Sequence, residues 1–486
     1  MDSFKHYLDK TGEIGVVDTV TECTATVSGL PGVMPSELVF FENGQSGEVL
    51  SLHQNSVEVL LFSQEPLLIG TKAARTGEEL TIPVGGELLG CVIDALGRPI
   101  SCLKPPKTPK TRRTLTSDSL GIETRASVRK PLETGVALVD MLVPLGRGQR
   151  ELIIGDRKTG KTSFLLQTLY NQAKNGTICI YGAIGRKQAE IKTVQNYFIK
   201  LGVMDKMIII AAGAEDPAGL IYLTPYSACA IAEYFRDQGI DTVIVLDDMT
   251  THAKFYREIC LLAKRFPGRD SYPVDIFYAH ARMLEKGGNF KLDVPGGVSS
   301  ESSITILPVI QTAGGDLSGY IQTNMMSMTD GHIYFDSDLF ASGKRPAVNP
   351  FLSVTRVGRQ AQSSLKREIN REILAFLTNY EKLQSFVHFG AELTEDVRLS
   401  LAKGERIYSF FEQNEAESVP SNLAVYVLSL IWLDYFQIEN TDQLRQEYQK
   451  IFERYTKEPV YRKKIDSLVD ESQKFSELLD KIKNTK

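Results

Sequence analysis

The run Leu152-Ile153-Ile154-Gly155-Asp156-Arg157-Lys158-Thr159-Gly160-Lys161-Thr162-Ser163-Phe164-Leu165-Leu166 decides the fold. Its centre fits G-x-x-x-x-G-K-[ST] in full, with an apolar β-rich run before it and a helical stretch after it. Glycines let the backbone curl so that several N–H groups face phosphate oxygens, and the helix N-terminus adds the positive end of its dipole. Gly155, Asp156, Arg157, Lys158, Thr159, Gly160, Lys161 and Thr162 are therefore candidate nucleotide-binding residues. Lys161 is expected to reach the β- and γ-phosphates, and the Thr162 hydroxyl to ligate Mg2+. A chance match in a Gly-rich loop would lack this strand-before, helix-after setting.

A second motif, Val243-Ile244-Val245-Leu246-Asp247-Asp248, is an apolar strand ending in carboxylates. A carboxylate at such a strand end can hold magnesium through water, and Asp247 is the candidate. Strands capped by Asp are common, so this motif takes its weight from the loop. Together the two imply a chain that binds ATP or ADP with Mg2+. Hydrolysis needs a further group that orients or activates the attacking water.

Outward from the loop, β-rich apolar runs alternate with amphipathic helices from about residue 83 to about residue 350. Examples are Ile178 to Tyr181, Met207 to Ala211 and Thr242 to Leu246, with helical stretches such as Ser227 to Asp237 between them. Such alternation predicts an α/β domain around a largely parallel sheet. Upstream, short β-segments punctuated by Gly, Asn and Pro turns predict a small barrel. Downstream, Ile465, Leu468, Phe475, Leu479 and Ile482 recur at helical steps, and the chain reads as helix to its end. The expected organisation is a β-barrel over 1–82, a RecA-like α/β nucleotide-binding domain over 83–362 and an α-helical bundle over 363–486. Gly287 to Ser303, rich in Gly and Ser, reads as a flexible connection. Lys104 to Arg113, basic and proline-rich, reads as a solvated loop.

Length and composition agree. At about 150 residues per domain, 486 residues suggest three domains, and 42% hydrophobic with 24% charged residues is an ordinary globular balance. A formal net charge of −5 speaks against nucleic acid as partner. So do Asp18, Glu22, Glu37, Glu42, Glu48 and Glu58 in the barrel segment. The six cysteines are scattered, without C-x-x-C pairs, and read as reduced thiols of a cytosolic chain. No signal sequence opens the chain, and the longest strongly apolar stretch, Leu423 to Leu433, falls far short of the roughly 20 residues a bilayer span needs.

The residues around the loop resemble one family closely, the alpha subunit of the F-type ATP synthase. The resemblance is carried by Pro144-Leu145-Gly146-Arg147-Gly148-Gln149-Arg150-Glu151, Arg265-Phe266-Pro267-Gly268-Arg269, Ile310-Gln311-Thr312 and Thr329-Asp330-Gly331. Lys344-Arg345-Pro346-Ala347-Val348-Asn349-Pro350 and Ser353-Val354-Thr355-Arg356-Val357-Gly358 extend it. It runs from about residue 12 to at least 430 and implies the same three-domain order. It also implies three alpha chains alternating with three catalytic beta subunits in a hexameric ring around a gamma shaft, with a peripheral stalk. Such a chain touches the membrane only through the membrane sector, at the cytoplasmic face of the bacterial inner membrane. It is an enzyme only as a subunit of the ion-transporting two-sector ATPase and does not turn over ATP alone.

Residue by residue, the resemblance makes Arg356 the arginine finger reaching the neighbouring beta site, with Ser353 in the same interface segment. It places Phe340, Arg345, Pro346 and Gln413 at the adenine. Glu415 stands where a second glutamine is expected, and Lys158 replaces a Gln within the loop. Arg186 stands where beta subunits carry the water-positioning Glu and alpha subunits usually Gln. A guanidinium stays protonated and cannot serve as a base; it either adds a cation near the phosphates or points to solvent. Glu190 is the nearby acid. The segment before Gly12 is shorter than the amphipathic helix by which most alpha subunits grip the stalk's delta subunit, so that attachment is expected to differ. Two other readings are a catalytic homohexameric ATPase of the flagellar or secretion type and an RNA-translocating hexamer. The first requires a carboxylate at Arg186, the second a basic and aromatic barrel.

Overall fold

The computed structural model describes residues 3–294, 298–388, 394–414, 417–436 and 441–484. The chain forms two compact units: Met1–Ala126 with Gly176–Ile310 and Leu317–Met328, and Ser127–Asn175 with Gln311–Asp316 and Thr329–Lys486.

The first unit opens with a helix, Ser3–Thr11, laid against a barrel. Tyr7 stacks on Phe40 at 5.5 Å between ring centroids, and Lys10 pairs with Glu78 at 2.6 Å. The barrel strands are β1 (Gly15–Val20), β2 (Thr24–Ser28), β3 (Glu37–Phe41), β4 (Ser46–Leu52), β5 (Ser56–Leu61) and β6 (Lys72–Glu79). They close in the order β1-β2-β5-β4-β3-β6, and β1 meets β6 through Gly15 opposite Ala73. Val17, Val27, Val39, Phe41 and Val59 fill the interior, the inward half of each strand's alternation. Three of the barrel's glutamates are buried as well. Glu37 accepts from the Met34 and Gly77 amides at 2.8 and 2.6 Å, and Glu58 from the Thr24 and Thr26 hydroxyls. The third, Glu48, lies on β4.

The same unit carries parallel strands in the spatial order Cys91–Ile93, Met207–Gly213, Ile178–Arg186, Thr242–Asp247 and Val298–Gln311. β-branched residues dominate these strands because both faces are covered, and Ile208, Ile209, Ile210, Ile244 and Val245 are fully buried. Helices Gln188–Lys200, Ala218–Asp237 and Met249–Leu262 alternate with them along the chain.

Two expectations are corrected here. The described part of Gly287 to Ser303 is not a loose connection: Gly288–Val294 pairs antiparallel with Val298–Gln311, while residues 295–297 lie outside the described residues. Its Phe290 is buried beneath the guanidinium groups of Arg125 and Arg236, 5.2 and 5.0 Å from the ring centroid. That aromatic anchor outweighs the turn-like composition around it. The cysteines are not all reduced, since Cys91 and Cys102 form a disulfide. The antiparallel pairing of Cys91–Ile93 with Pro99–Cys102 sets the two residues directly opposite each other, a register that their spacing alone does not disclose. Cys23, Cys179, Cys229 and Cys260 are buried and lie outside that disulfide.

The second unit pairs Glu151–Gly155 parallel with Gly331–Phe335, which in turn takes Val354–Thr355 antiparallel. Lys161–Lys174 is the helix after the phosphate loop. Beyond it lie helices Ser364–His388, Glu395–Phe411, Ser421–Trp432, Thr441–Lys457, Pro459–Asp470 and Phe475–Asn484. Ser421–Trp432 is the apolar centre of this group, with Leu423, Ala424, Val425, Leu428 and Ile431 buried. Trp432 meets Phe376 and Phe475 at 5.6 and 5.7 Å. No described helix is long and apolar enough to cross a membrane. The chain therefore has an N-terminal six-stranded barrel, a central α/β region and a helical C-terminal part.

Candidate functional site

Gly155 ends its strand at the one point where the backbone of Phe335 crowds it: a Cβ there would stand 2.3 Å from the Phe335 carbonyl oxygen. Gly160 has φ +93°, a left-handed conformation that only glycine adopts without cost, and it turns the chain into the helix Lys161–Lys174. Between them the loop is braced from within. Lys161 Nζ donates to the Gly155 carbonyl at 2.7 Å and to that of Asp156, and Thr159 Oγ1 donates to Asp156 O at 2.8 Å. Asp156 accepts from the Thr312 hydroxyl and from the Gly315 amide at 3.0 and 3.1 Å. Burial pushes the Asp156 carboxyl up, but those donors and Lys161 hold it below its ordinary value. Arg157 Nε donates to Gln311 Oε1 at 2.6 Å. Arg157, Lys158 and Thr162 are exposed. Several cations and backbone donors thus share one short loop, an arrangement suited to a polyphosphate.

Phe340, Arg345, Pro346 and Gln413 are brought together in the same unit. The Arg345 guanidinium lies 3.5 Å from the Phe340 ring centroid, and Arg345 and Pro346 line a cavity of about 250 Å³ with Leu138, Lys344, Tyr408 and Phe411. The Gln413 amide N–H donates to Arg345 O at 2.9 Å. Its side chain is fully engaged with backbone: Oε1 accepts from Ala137 N at 2.6 Å, and Nε2 donates to Gly135 O at 3.0 Å and Glu417 O at 2.9 Å. Gln167, on the helix after the loop, also donates to Gly135 O, at 3.2 Å. One carbonyl therefore links the phosphate-loop helix to the Gln413 segment. Glu415 lies outside the described residues.

The Arg356 segment shows why its neighbours are small or hydroxylic. Ser353 Oγ donates to Asn349 O at 2.6 Å and accepts from Tyr334 N at 3.0 Å. Thr355 Oγ1 donates to Pro144 O at 2.9 Å and accepts from Gly358 N at 3.1 Å. Gly358 fits because a Cβ there would fall 1.7 Å from Pro144 O. Arg356 N donates to Asp330 O at 3.1 Å, and Asp330 is itself paired with Arg150 at 2.8 Å. Every neighbour is fastened, and the Arg356 side chain is exposed.

In the first unit, Asp247 is 1% exposed at the end of its strand, opposite Ala183 of the parallel neighbour. Its Oδ2 accepts from the Tyr181 hydroxyl at 2.6 Å, and its Oδ1 is paired with Arg186 Nη2. Asp248 Oδ2 lies 3.9 Å from the same Nη2, and Glu190 Oε2 lies 3.7 Å from Nη1. Arg186 therefore turns to the carboxylates of its own unit, an outcome that neither sequence alternative included. Thr312, Gly315, Asp330 and Tyr181 are further residues that sequence reasoning leaves unassigned. The only signal for them was that three lie inside or beside the quoted motifs.

Residues 135–355 match the model of the ATP synthase alpha/beta family, nucleotide-binding domain, and residues 362–485 that of the ATP synthase alpha/beta chain, C terminal domain. The chain is 40% identical over 449 residues to ATP synthase subunit alpha of Lactobacillus acidophilus, covering 91% of this chain and 88% of that protein. It is likewise 40% identical over 440 residues to the same subunit of Staphylococcus epidermidis, covering 90% and 86%.

Proposed function

The chain belongs to the ATP synthase alpha subunit family, and from that premise we propose that it is the non-catalytic, regulatory nucleotide-binding subunit of a rotary ATP synthase. It holds ATP or ADP on Gly155 to Thr162, with Lys161 on the phosphates and the Thr162 hydroxyl toward Mg2+. Asp247, expected on the metal, is already paired with Arg186 and with the Tyr181 hydroxyl. Phe340, Arg345 and Pro346 flank the base, and Gln413 shapes the wall behind it through its backbone bonds. Arg356 enters the catalytic site of an adjacent beta subunit, where a guanidinium offsets charge on the transferring phosphoryl group, typically worth about 10³–10⁵ in rate. Its partners in this reading are beta subunits in an alternating ring, a gamma shaft and a peripheral stalk. The assembly couples ATP chemistry to ion transport at the cytoplasmic face of the bacterial membrane.

The observation that carries the non-catalytic reading is Arg186. At the position where a catalytic subunit needs a carboxylate to orient water, this chain has a cation tied to Asp247. The test is Mg-ATP turnover by the purified full chain, with site occupancy followed in the same sample. A filled site without turnover is expected. Turnover that disappears in Lys161→Ala would overturn the reading in favour of a self-sufficient motor.

A further inference from the structure

The cavity that Arg345 and Pro346 line, within the second unit, carries one donor and one acceptor that the protein itself leaves open. Its polar walls are Lys344, Arg345, Asn349, Glu381, Tyr408 and Glu412. Most of these are committed. Arg345 is held over Phe340 by the Phe340 and Lys344 carbonyls. Asn349 donates to Asp336 Oδ2 at 3.0 Å and accepts from the Phe351 and Leu352 amides at 3.1 Å. Glu412 is paired with Arg445, and the Tyr408 hydroxyl donates to Glu381 Oε1 at 2.6 Å. Lys344 and Glu381 remain, both half-buried. The Lys344 ammonium rests over the Tyr408 ring, 4.0 Å from its centroid, and makes no ion pair among the described residues. Glu381 gives one oxygen to Tyr408 and has no cationic partner among them either. One tyrosine therefore fixes the order of the two charges: its ring carries the cation and its hydroxyl holds the carboxylate.

We propose that this cavity accepts guanine nucleotides alongside adenine ones, with Lys344 and Glu381 reading the edge of the base. Stacking on Arg345 does not discriminate, because every purine has the same kind of flat face. The edge does. Guanine has an acceptor at O6 beside donors at N1 and the 2-amino group. Adenine has a donor at its 6-amino group beside an acceptor at N1. An ammonium only donates and an ionised carboxylate only accepts. Lys344 on O6 with Glu381 on N1–H and the 2-amino group satisfies guanine. The same pair in the same order meets adenine with donor against donor and acceptor against acceptor, so adenine relies on stacking. This inference rests on the nucleotide-binding reading above and concerns only which bases that site takes.

The test is the affinity of the full chain for ATP, GTP and ITP by calorimetry in excess Mg2+. Wild type, Lys344→Met and Glu381→Gln are compared, with melting curves to establish folding. In wild type GTP is expected to bind within about threefold of ATP, or more tightly. ITP, which keeps O6 and N1–H, should follow GTP. Lys344→Met removes the donor, and Glu381→Gln supplies an amide donor for adenine N1. Each should move the GTP-to-ATP affinity ratio about tenfold toward ATP, a change that a merely structural role would not produce. Should one variant fail to fold, wild type and the other decide. ATP binding more than about threefold tighter than GTP in wild type, or a ratio unchanged in the folded variants, would overturn the inference while leaving the nucleotide reading intact. Binding of none of the three nucleotides would overturn both.

Discussion

The Arg345 guanidinium lies over the Phe340 ring at 3.5 Å, held by 2.8 Å bonds from Nη1 to the Phe340 and Lys344 carbonyls. A flat cation fixed on an aromatic face offers its outer face to another flat, electron-rich group, which is what a purine is. Arg345→Ala is expected to weaken ATP binding by about 3- to 30-fold, the range of one cation–π contact. Tripolyphosphate, which has no base, should bind both proteins equally. Equal losses for the two ligands would move Arg345 from the base to the phosphates.

Lys161 has the opposite signature. Its ammonium group donates to two carbonyls within the loop, and those contacts are expected to give way to a phosphate, a stronger acceptor. Lys161→Met keeps the aliphatic stem and removes the charge. ATP and tripolyphosphate affinity should both fall by about 100-fold, while the melting temperature changes little.

Arg356 is expected to separate binding from turnover. Arg356→Ala should leave nucleotide affinity of this chain unchanged and lower turnover of the ring assembled with beta subunits by about 10³-fold or more. Ser353→Ala removes one hydrogen bond from the Gly331–Phe335 strand, donated by Tyr334 N, and one to Asn349 O, each worth about 1 kcal/mol. It should produce a smaller loss of turnover and a lower melting temperature. Unchanged turnover in Arg356→Ala would remove the residue from the beta site.

Glu48 on β4 gives a pH test of the barrel. It is buried, its Oε2 has no hydrogen-bond partner among the described residues, and burial pushes its carboxyl up to about 7. The folded chain therefore holds this proton more tightly than the unfolded chain does. Its contribution is full below the unfolded carboxyl range and is lost as pH rises through about 7. Glu48→Gln should remove that loss, gaining on the order of 2 kcal/mol over wild type at about pH 8 and little at about pH 4. Denaturant melts at the two pH values measure it, and a gain that does not change with pH would assign the effect to packing.

The phosphate loop is legible in the sequence because its requirements are local. Two glycines, a lysine and a threonine at fixed spacing both shape the turn and carry the chemistry. The parallel strands are legible for a similar reason, since burial on both faces leaves an unbroken apolar run such as Val243 to Leu246. What escapes is register. Arg186 and Asp247 are 61 residues apart and meet because two strands align Ala183 with Asp247, and the same kind of alignment joins Cys91 to Cys102. Phe290 escapes because one buried ring outweighs the glycines and serines around it. The barrel glutamates mislead in the other direction: Glu37, Glu48 and Glu58 look like surface charge, yet they are buried.

Pairing β1 with β6 has a consequence for crowding. An open sheet ends in a row of unused amide and carbonyl groups that can recruit a strand from any nearby copy, whereas a cylinder has no such margin. Many barrels held side by side at high local concentration would therefore touch through side chains and loops. They could separate again without the main-chain cross-pairing that turns adjacency into irreversible aggregation.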